Sequence, residues 1–298
     1  MKSLFTKQIK PVSAIAAAAG ALLLLIREFI RRKLHRVEMK HRAEAERERV
    51  NSELLMASQI QTGVLPHVFP PFPERSEFDL YASMVPAREV GGDFYDFFMI
   101  DDDHLCLVIA DVSGKGIPAS LFMMNSKVLL KSYASANVSP AEVLVKANNE
   151  ICENNQMEMF VTVWMGILEI STGKLTTANA GHEYPVIYRP GGDFEMIKSR
   201  HGFVIGGMDG MKYREYDLKL EPGGKLFVYT DGLPEATDAA SKMFGTDRML
   251  EVLNADKEAS PKQMLENMSI AVDEFVKDAE QFDDLTMLAL EYHGPQKG

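Results

Sequence analysis

From residue 79 onward, short apolar runs alternate with polar turns, which is the pattern of β-strands interrupted by a few helices. Most of the runs are joined by hairpin-like turns, so we expect antiparallel sheets. Two such sheets packed face to face, with helices outside, form the architecture that this α+β pattern allows. The predicted strands cover residues 80–86, 94–100, 105–110, 160–170, 174–180, 185–188, 194–198, 213–220, 225–229 and 285–292. The predicted helices cover residues 118–134, 140–154, 247–255 and 261–279, with Ser139 and Ser260 as N-caps of the second and the fourth.

The segment from Arg27 to Val64 predicts one long helix. It contains no proline and a single glycine, it is rich in Glu, Arg, Ala and Leu, and Pro66 follows it. Near its end, five positions step by four and three, which is the spacing of a coiled coil over about two heptads. These positions are Val50, Leu54, Ala57, Gln61 and Val64. Two interpretations remain open: a dimerising linker that gives a homodimer, and a solvated helix that only caps the next domain.

An uncharged run dominated by Ala and Leu lies near the N-terminus, between Pro11 and Ile26. Extended to Ile30, it reaches about the 20 residues that span a bilayer, so we expect residues 1–30 to be a membrane anchor. A secretory signal peptide and a buried helix are the alternatives, and no cleavage site is evident. Seven basic residues between Arg27 and Arg42 follow the run. They predict a single pass through the inner membrane, with the rest of the chain in the cytoplasm.

The charge of the chain is unevenly distributed. The net charge is −11, and residues 1–50 carry 12 Lys and Arg against 5 Asp and Glu, or +7, which leaves −18 for the remainder. An acidic body argues against nucleic acid as a partner, whereas the basic front points to a membrane surface.

A proline-rich stretch, VLPHVFPPFPE, marks a domain boundary. The chain has 298 residues, of which 46% are hydrophobic, so the part that follows this stretch has ample material for a core. We expect an N-terminal anchor at 1–30, a helical linker at 31–65, a main domain at 66–293 and a short tail at 294–298.

Four aspartates stand where a predicted strand meets a loop, although aspartate is a poor strand residue. They are Asp93 in GGDFYD, Asp111 in IADVSGKG, Asp231 in VYTDG and Asp283 in QFDDLT. Four carboxylates that converge on one point indicate a site for a hard metal cation. A single Asp-Gly pair is also common in turns, but the four motifs together favour the metal site.

The first two of these aspartates can be placed relative to each other. The polar tripeptide centred on Asp102 joins two apolar runs and predicts a hairpin turn. Folding the hairpin about Asp102 pairs positions whose numbers sum to 204. Asp93 then lies opposite Asp111, with the Cβ atoms about 5 Å apart. Two carboxylates at that distance repel each other unless a cation lies between them.

Six motifs of the chain occur in the order in which one known family has them. They are AxxIQ (57–61) with the LP that follows, PAREVGGDFYD, IADVSGKGIPASLFM, NAGHEYPVIY, VYTDGLPEA and DDLTMLALEY. With these motifs, residues 54–292 resemble the SpoIIE/RsbU-like branch of the PPM-type metal-dependent serine/threonine phosphatases. The resemblance implies an α-β-β-α sandwich with two divalent cations, manganese or magnesium, between the sheets. It also implies a phosphoserine or phosphothreonine protein as substrate, commonly a STAS-type anti-sigma-factor antagonist.

The resemblance also implies roles for the acidic positions. Asp111 resembles the aspartate that bridges both metals, and the carbonyl of Val112 takes the place of a backbone ligand. Asp93 resembles the second metal's own carboxylate, while Asp231 and Asp283 resemble the pair that completes the first metal. In such a site a metal-activated hydroxide attacks phosphorus in line, and no nucleophilic side chain is needed.

Four further positions each keep an alternative. Asp284 is a lesser candidate for a metal ligand. Arg88 lies where eukaryotic relatives carry a phosphate-binding arginine, although a solvent-facing arginine fits equally well. Lys115, between two glycines, contacts phosphate or is simply exposed. His182 transfers a proton or, in the preferred interpretation, shapes its own turn.

The sequence as a whole predicts a membrane-tethered protein phosphatase whose activity is controlled through the linker helix. A catalytically inactive scaffold that binds a phosphoprotein is the alternative, and the presence of every metal carboxylate argues against it. A nuclease or another phosphodiesterase would need a basic groove, which the net charge of −18 outside the first 50 residues does not favour.

Overall fold

Helix α1 spans Lys2–Val64, so the helix predicted from Arg27 to Val64 is the second part of a longer one. The computed structural model describes residues 2–295, and the side chains of residue 15 and of residues 17–295. Tertiary contacts divide the chain into two units, of which the first ends at Met56 and the second begins at Ala57. The second unit thus begins before the boundary expected at residue 66. The end of the predicted tail, residues 296–298, lies outside the described residues.

The membrane span expected within residues 1–30 is not supported. Among the described residues, no helix has a stretch that is both long enough and apolar enough to cross a membrane. The uncharged run ends at Ile26, where Arg27 and Glu28 follow. It is therefore shorter than the about 20 apolar residues that a spanning helix needs. Met1, which belongs to the expected anchor, lies outside the described residues.

Ten strands in the described part of the chain form two antiparallel sheets, as predicted. One sheet contains β1 Phe78–Val85, β6 Val186–Tyr188, β7 Phe194–Met196, β9 Gly224–Tyr229 and β10 Leu285–Tyr292, in the order β1-β10-β9-β6-β7. The other contains β2 Phe94–Met99, β3 His104–Val112, β4 Val161–Glu169, β5 Lys174–Ala180 and β8 Glu215–Lys219, in the order β2-β3-β4-β5-β8. Buried residues of both sheets, among them Leu107 and Leu288, share one core, so the sheets pack face to face.

Two helices cover each sheet, which completes the α-β-β-α sandwich. Helices α2 Ile117–Tyr133 and α3 Pro140–Glu153 pack on the sheet of β2 to β5, and α4 Gly245–Ala255 and α5 Pro261–Val276 pack on the other sheet. A buried ion pair between Lys127 of α2 and Asp96 of β2, 2.5 Å long, joins the first helix to its sheet.

The helix ends agree with the predicted caps. Ser139 and Ser260 each accept a hydrogen bond from the backbone three residues on, within complete capping boxes at the starts of α3 and α5. Helix α5 ends at Val276, earlier than predicted. The reason is that Lys277 adopts a left-handed conformation with φ of 55°, which a helix cannot continue through.

The β2–β3 hairpin has the predicted register. Phe94 lies opposite Ala110, and every further pair of the ladder keeps the same sum of residue numbers. Continued by one residue, this register brings Asp93 to the level of Asp111 at the end of β3. Strands β9 and β10 are antiparallel neighbours, so Asp231 after β9 and Asp283 before β10 also lie at the same end of these two strands. The fold therefore gathers all four motifs at one end of the sandwich.

Candidate metal centre

Asp93 and Asp111 form the buried part of the site. Asp93 is 2% exposed, and its Oδ2 accepts a hydrogen bond of 2.6 Å from the hydroxyl of Thr230. The two carboxyl groups are close enough for Asp93 to hydrogen-bond Asp111. Burial, together with the nearby charges of Asp111 and Asp284, raises the pKa of Asp93 well above its usual range. A pair of this kind holds a proton or needs a cation.

Asp111 and Asp231 form the more open part of the site. Burial, followed by the charge of Asp231, raises the pKa of Asp111 to about 7. Burial, followed by the charges of Glu235, Asp283 and Glu183, raises the pKa of Asp231 to about 6. The acidic groups thus repel one another across the edge of the sandwich, and their ionised forms are stabilised by any cation that enters.

Glu183 and Glu235 also contribute to the negative charge around Asp231, and the sequence did not single them out. They lie in the NAGHEYP and VYTDGLPEA motifs, two residues after Gly181 and three residues after Gly232 respectively. Their position inside motifs that also carry Asp231 and His182 was the available signal.

Asp283 is paired with a lysine. The Nζ atom of Lys115 lies 2.9 Å from Asp283 Oδ2 and donates a 2.5 Å hydrogen bond to the carbonyl of Phe282. The same ammonium group lies 4.2 Å from the centre of the Phe282 ring. Lys115 is therefore not a free surface lysine. Its ammonium group joins the loop after β3 to the segment before β10.

Asp284 supports the glycine turn that carries Asp93. Its Oδ1 accepts the N–H of Ala87 at 2.8 Å, and its Oδ2 accepts the N–H groups of Gly92 at 2.7 Å and Asp93 at 3.3 Å. These three donors occupy the carboxylate in the structure. The side chain proposed as a lesser metal ligand thus has a supporting role in which it fixes the backbone before β2.

The close approach of Gly92 to β3 places the Val112 carbonyl at the site. A Cβ atom at position 92 would lie 2.9 Å from the oxygen of Val112, so the turn tolerates no side chain there. Gly232, after Asp231, is constrained in the same way, because its Cβ would lie 2.0 Å from the carbonyl oxygen of Asp284. The second glycine of the GGD motif and the glycine of the DG motif are thus required by backbone contact.

Gln61 at the end of α1 clamps the same turn. Its Nε2 donates to the carbonyl of Gly91 at 2.6 Å, and its Oε1 accepts the N–H of Gly91 at 3.0 Å. Gln61 is buried, so its side chain is not available for the coiled-coil spacing in which the sequence placed it. The hydroxyl of Tyr95 adds a second tether, a 2.8 Å hydrogen bond to the carbonyl of Pro66. The AxxIQ motif was the only sequence signal for this contact.

His182 is buried beside the site and shapes its turn. Its Nδ1 lies 2.8 Å from the hydroxyl of Thr162, which faces Asp111 across the β3–β4 ladder. The side chain of Asn179 hydrogen-bonds both the N–H and the carbonyl of His182. Burial lowers the pKa of His182 to about 3, so the ring stays neutral near pH 7. The geometry favours the structural interpretation over proton transfer.

Arg88 is exposed in the loop between β1 and β2. Within the part of the chain that the structure describes, its guanidinium has no hydrogen bond or ion pair. The structure therefore leaves it available to a ligand without bringing it into the carboxylate cluster.

The donor set fits hard divalent cations in its chemistry. The candidate ligands are carboxylates and a backbone carbonyl from four segments, and their mutual repulsion favours a bound cation. As the side chains stand, however, no group of three or more His, Cys, Asp or Glu among the described residues is arranged to hold a metal ion. Lys115 holds Asp283, and backbone N–H groups hold Asp284, which accounts for part of this arrangement.

The comparisons with known proteins agree with the motifs. The model of the family Stage II sporulation protein E (SpoIIE) matches residues 101–293. The chain is 32% identical over 266 residues to the protein IcfG of Synechocystis sp., which corresponds to 80% of this chain but only 41% of IcfG. It is 28% identical over 243 residues to the phosphoserine phosphatase RsbU of Bacillus subtilis, or 81% of this chain and 70% of RsbU.

The fold has solved counterparts. The SiaA-PP2C domain of Pseudomonas aeruginosa matches with a TM-score of 0.72 and 21% sequence identity, over 83% of this chain and 98% of that chain. At this identity the likeness concerns the architecture, which is the two-sheet sandwich described above. The family match covers more than half of the chain and includes three of the four aspartate motifs. The chain therefore belongs to the SpoIIE family of PPM-type phosphatases.

Proposed function

We propose that this chain is a metal-dependent protein phosphatase that hydrolyses phosphoserine or phosphothreonine on a regulatory protein. The observation that carries the proposal is that the two sheets bring four aspartates together at one end of the sandwich, namely Asp93, Asp111, Asp231 and Asp283. Burial and mutual repulsion raise the pKa of three of them, which is the charge arrangement that divalent cations relieve. Membership in the SpoIIE family supports the same conclusion.

In the proposed reaction the metal ligands, Arg88 and the residues that hold the Gly91 to Asp93 turn have separate roles. When bound, two divalent cations, manganese or magnesium, activate water and neutralise the phosphoryl oxygens of a phosphomonoester. Arg88 is free to bind phosphate with two parallel hydrogen bonds. Asp284 and Gln61 hold the Gly91 to Asp93 turn in place. The metal ligands would be Asp93, Asp111, the Val112 carbonyl, Asp231 and Asp283, with Asp284 as the lesser candidate.

The proposed substrate is a phosphorylated STAS-type anti-sigma-factor antagonist. RsbU, to which the chain is 28% identical, is named a phosphoserine phosphatase, and this supports a phosphoserine protein as the substrate class. The acidic body of the chain disfavours nucleic acid. A catalytically inactive scaffold that binds the phosphoprotein is the alternative function, and it requires that the carboxylates fail to support turnover.

Phosphate release tests the two functions against each other. The full chain is stripped of metal with EDTA and then supplied with manganese or magnesium and a phosphoserine STAS protein. We expect phosphate release that depends on the added metal and that is lost in Asp111→Asn. Binding of the phosphoprotein without release, in a folded wild-type chain at saturating metal, would favour the scaffold.

We further propose that α1 controls the site and supports a homodimer. The contact of Gln61 with Gly91 gives the helix a direct connection to the turn that carries Asp93. The double variant Leu54→Glu and Val64→Glu places charges in the proposed seam. We expect loss of the dimer by light scattering together with altered turnover. Unchanged turnover in a monomeric variant would show that the helix is only a tether.

The location of the chain at the inner membrane stays a prediction from the sequence. The basic front is the feature that supports attachment. Membrane fractions washed with high salt test it, because electrostatic attachment is released by salt whereas an inserted segment is retained.

A further inference from the structure

A cavity of about 260 Å³ adjoins the candidate metal centre. It lies between α5, the turn after β9 and the segment before β10, and both Gly232 and Asp283 form part of its wall. Its volume is slightly below the about 300–1,000 Å³ of cavities that bind small-molecule ligands. The space therefore suits one or two side chains of a larger partner.

The floor of the cavity is apolar. Val272 and Leu285 are buried and line it, together with the half-buried Val276 and Ala236. Such a floor favours the hydrocarbon stem of a long side chain, because burial of each CH₂ group is favourable.

The rim of the cavity is acidic and unpaired. Glu235, Asp273 and Glu280 line it and are exposed, and no salt bridge to any of them occurs within the described residues. Lys277 is the one basic residue among those that line the cavity in the described chain. The wall residue Asp283 is already paired with Lys115 at 2.9 Å, so the described lining carries three carboxylates without a salt bridge against one ammonium group. An apolar floor with an acidic rim is complementary to a lysine or an arginine, whose stem is apolar and whose end is cationic.

The cavity adjoins the metal centre directly. Glu235, on its rim, donates a 2.9 Å backbone hydrogen bond to the carbonyl of Asp231, and Gly232 and Asp283 line the same cavity. An extended substrate segment advances by about 3.3–3.6 Å per residue. A segment whose phosphate lies at Asp111 and Asp231 thus reaches the cavity within a few residues of the phosphoserine.

We propose that this cavity binds a lysine or arginine side chain that flanks the phosphoserine of the protein substrate, and so selects among phosphorylated sites. The proposal rests on the proposed function and deepens it, because it names the chemical character of the substrate sequence. The carboxylates of Asp273 and Glu280 are the specificity-determining groups that lie apart from the metal centre.

Phosphoserine peptides test the proposal with the full chain and manganese. The peptides carry lysine, norleucine or glutamate in turn at each position from three before to three after the phosphoserine. We expect lysine at one position to raise kcat/KM about tenfold over glutamate, since single exposed ion pairs change binding by about twofold to fivefold and two rim carboxylates act together. Higher ionic strength should reduce the preference for lysine over glutamate, and this test uses the wild-type chain alone.

Variants of the rim locate the effect. Asp273→Asn combined with Glu280→Gln should abolish the preference for lysine while turnover of p-nitrophenyl phosphate stays unchanged. Glu280→Lys should reverse the preference towards glutamate. The matched control is Glu274→Gln, an exposed carboxylate of α5 that does not line the cavity, and it should keep the wild-type preference.

The outcomes separate this inference from the proposed function. Equal turnover of all peptides, a preference for norleucine over lysine, or a lysine preference that survives the double variant overturns the inference alone. Turnover of p-nitrophenyl phosphate without turnover of any phosphopeptide overturns both the inference and the protein substrate. A salt-sensitive lysine preference that the double variant loses supports the inference.

Discussion

Replacing Gln61 with methionine removes a single contact between α1 and the turn that carries Asp93. The glutamine side chain makes two hydrogen bonds to Gly91, at 2.6 Å through the carbonyl and at 3.0 Å through the N–H. Gln61 is 4% exposed and Gly91 is buried, so water cannot replace the lost partner. Methionine has a similar length and fills the same space without hydrogen-bonding groups.

The expected cost follows from the two backbone groups that are left without partners. An unsatisfied buried donor or acceptor costs about 1–3 kcal/mol, and burial of the more apolar methionine offsets part of the total. We therefore expect a loss of about 3 kcal/mol in the free energy of unfolding, or roughly 6–12 °C in Tm for a domain of this size. Because Gly92 and Asp93 donate their N–H groups to Asp284 from the same turn, a mobile turn should also lower kcat.

Urea denaturation and metal-dependent phosphate release measure the two effects on the full chain. Gln59→Met is the matched control. Gln59 is exposed and lies two residues before Gln61 on the same helix, so this substitution should leave both quantities unchanged. Wild-type stability together with wild-type turnover in Gln61→Met would refute the clamp. Lost stability with unchanged kcat would keep the contact but remove its role in positioning Asp93.

Further substitutions and conditions probe the carboxylates. Asp111→Asn and Asp231→Asn should each lower metal-dependent phosphate release by at least about 100-fold. Asp102→Asn, in the exposed hairpin turn, should leave phosphate release nearly unchanged. An equally large loss of phosphate release in Asp102→Asn would contradict the assignment of the metal centre. The pKa values of about 7 for Asp111 and about 6 for Asp231 lie above that of an unfolded aspartate. In EDTA the folded chain then binds more protons than the unfolded chain, so urea denaturation should show stability increasing as the pH falls from about 8 to about 5, and a flat profile would contradict the raised values. Lys115→Met removes the ammonium group that pairs with Asp283, at 2.9 Å. Calorimetry should show manganese binding tightened by about twofold to fivefold, and weaker binding would mean that Lys115 organises the site instead of competing with the metal.

The local elements of this protein are determined by its sequence. The polar tripeptide centred on Asp102 set the register of the β2–β3 hairpin, because the position and length of a hairpin turn determine which residues of its two strands lie opposite each other. Ser139 and Ser260 define the starts of α3 and α5, because a cap depends on residues only three positions apart. The aspartate motifs are local as well, and the register of one hairpin was enough to bring two of them together.

The partners of the functional side chains were decided only by the tertiary structure. Asp284 hydrogen-bonds the turn before β2, Gln61 holds Gly91, and Lys115 pairs with Asp283, and these residues are far apart along the chain. The coiled-coil spacing suggested a different environment for Gln61, since periodicity shows which positions share a helix face but not what covers that face. The acidic cavity beside the centre likewise exists only where α5 meets the segment before β10. Such contacts depend on how two sheets and their helices pack, and that packing is a property of the whole domain, which no local pattern encodes.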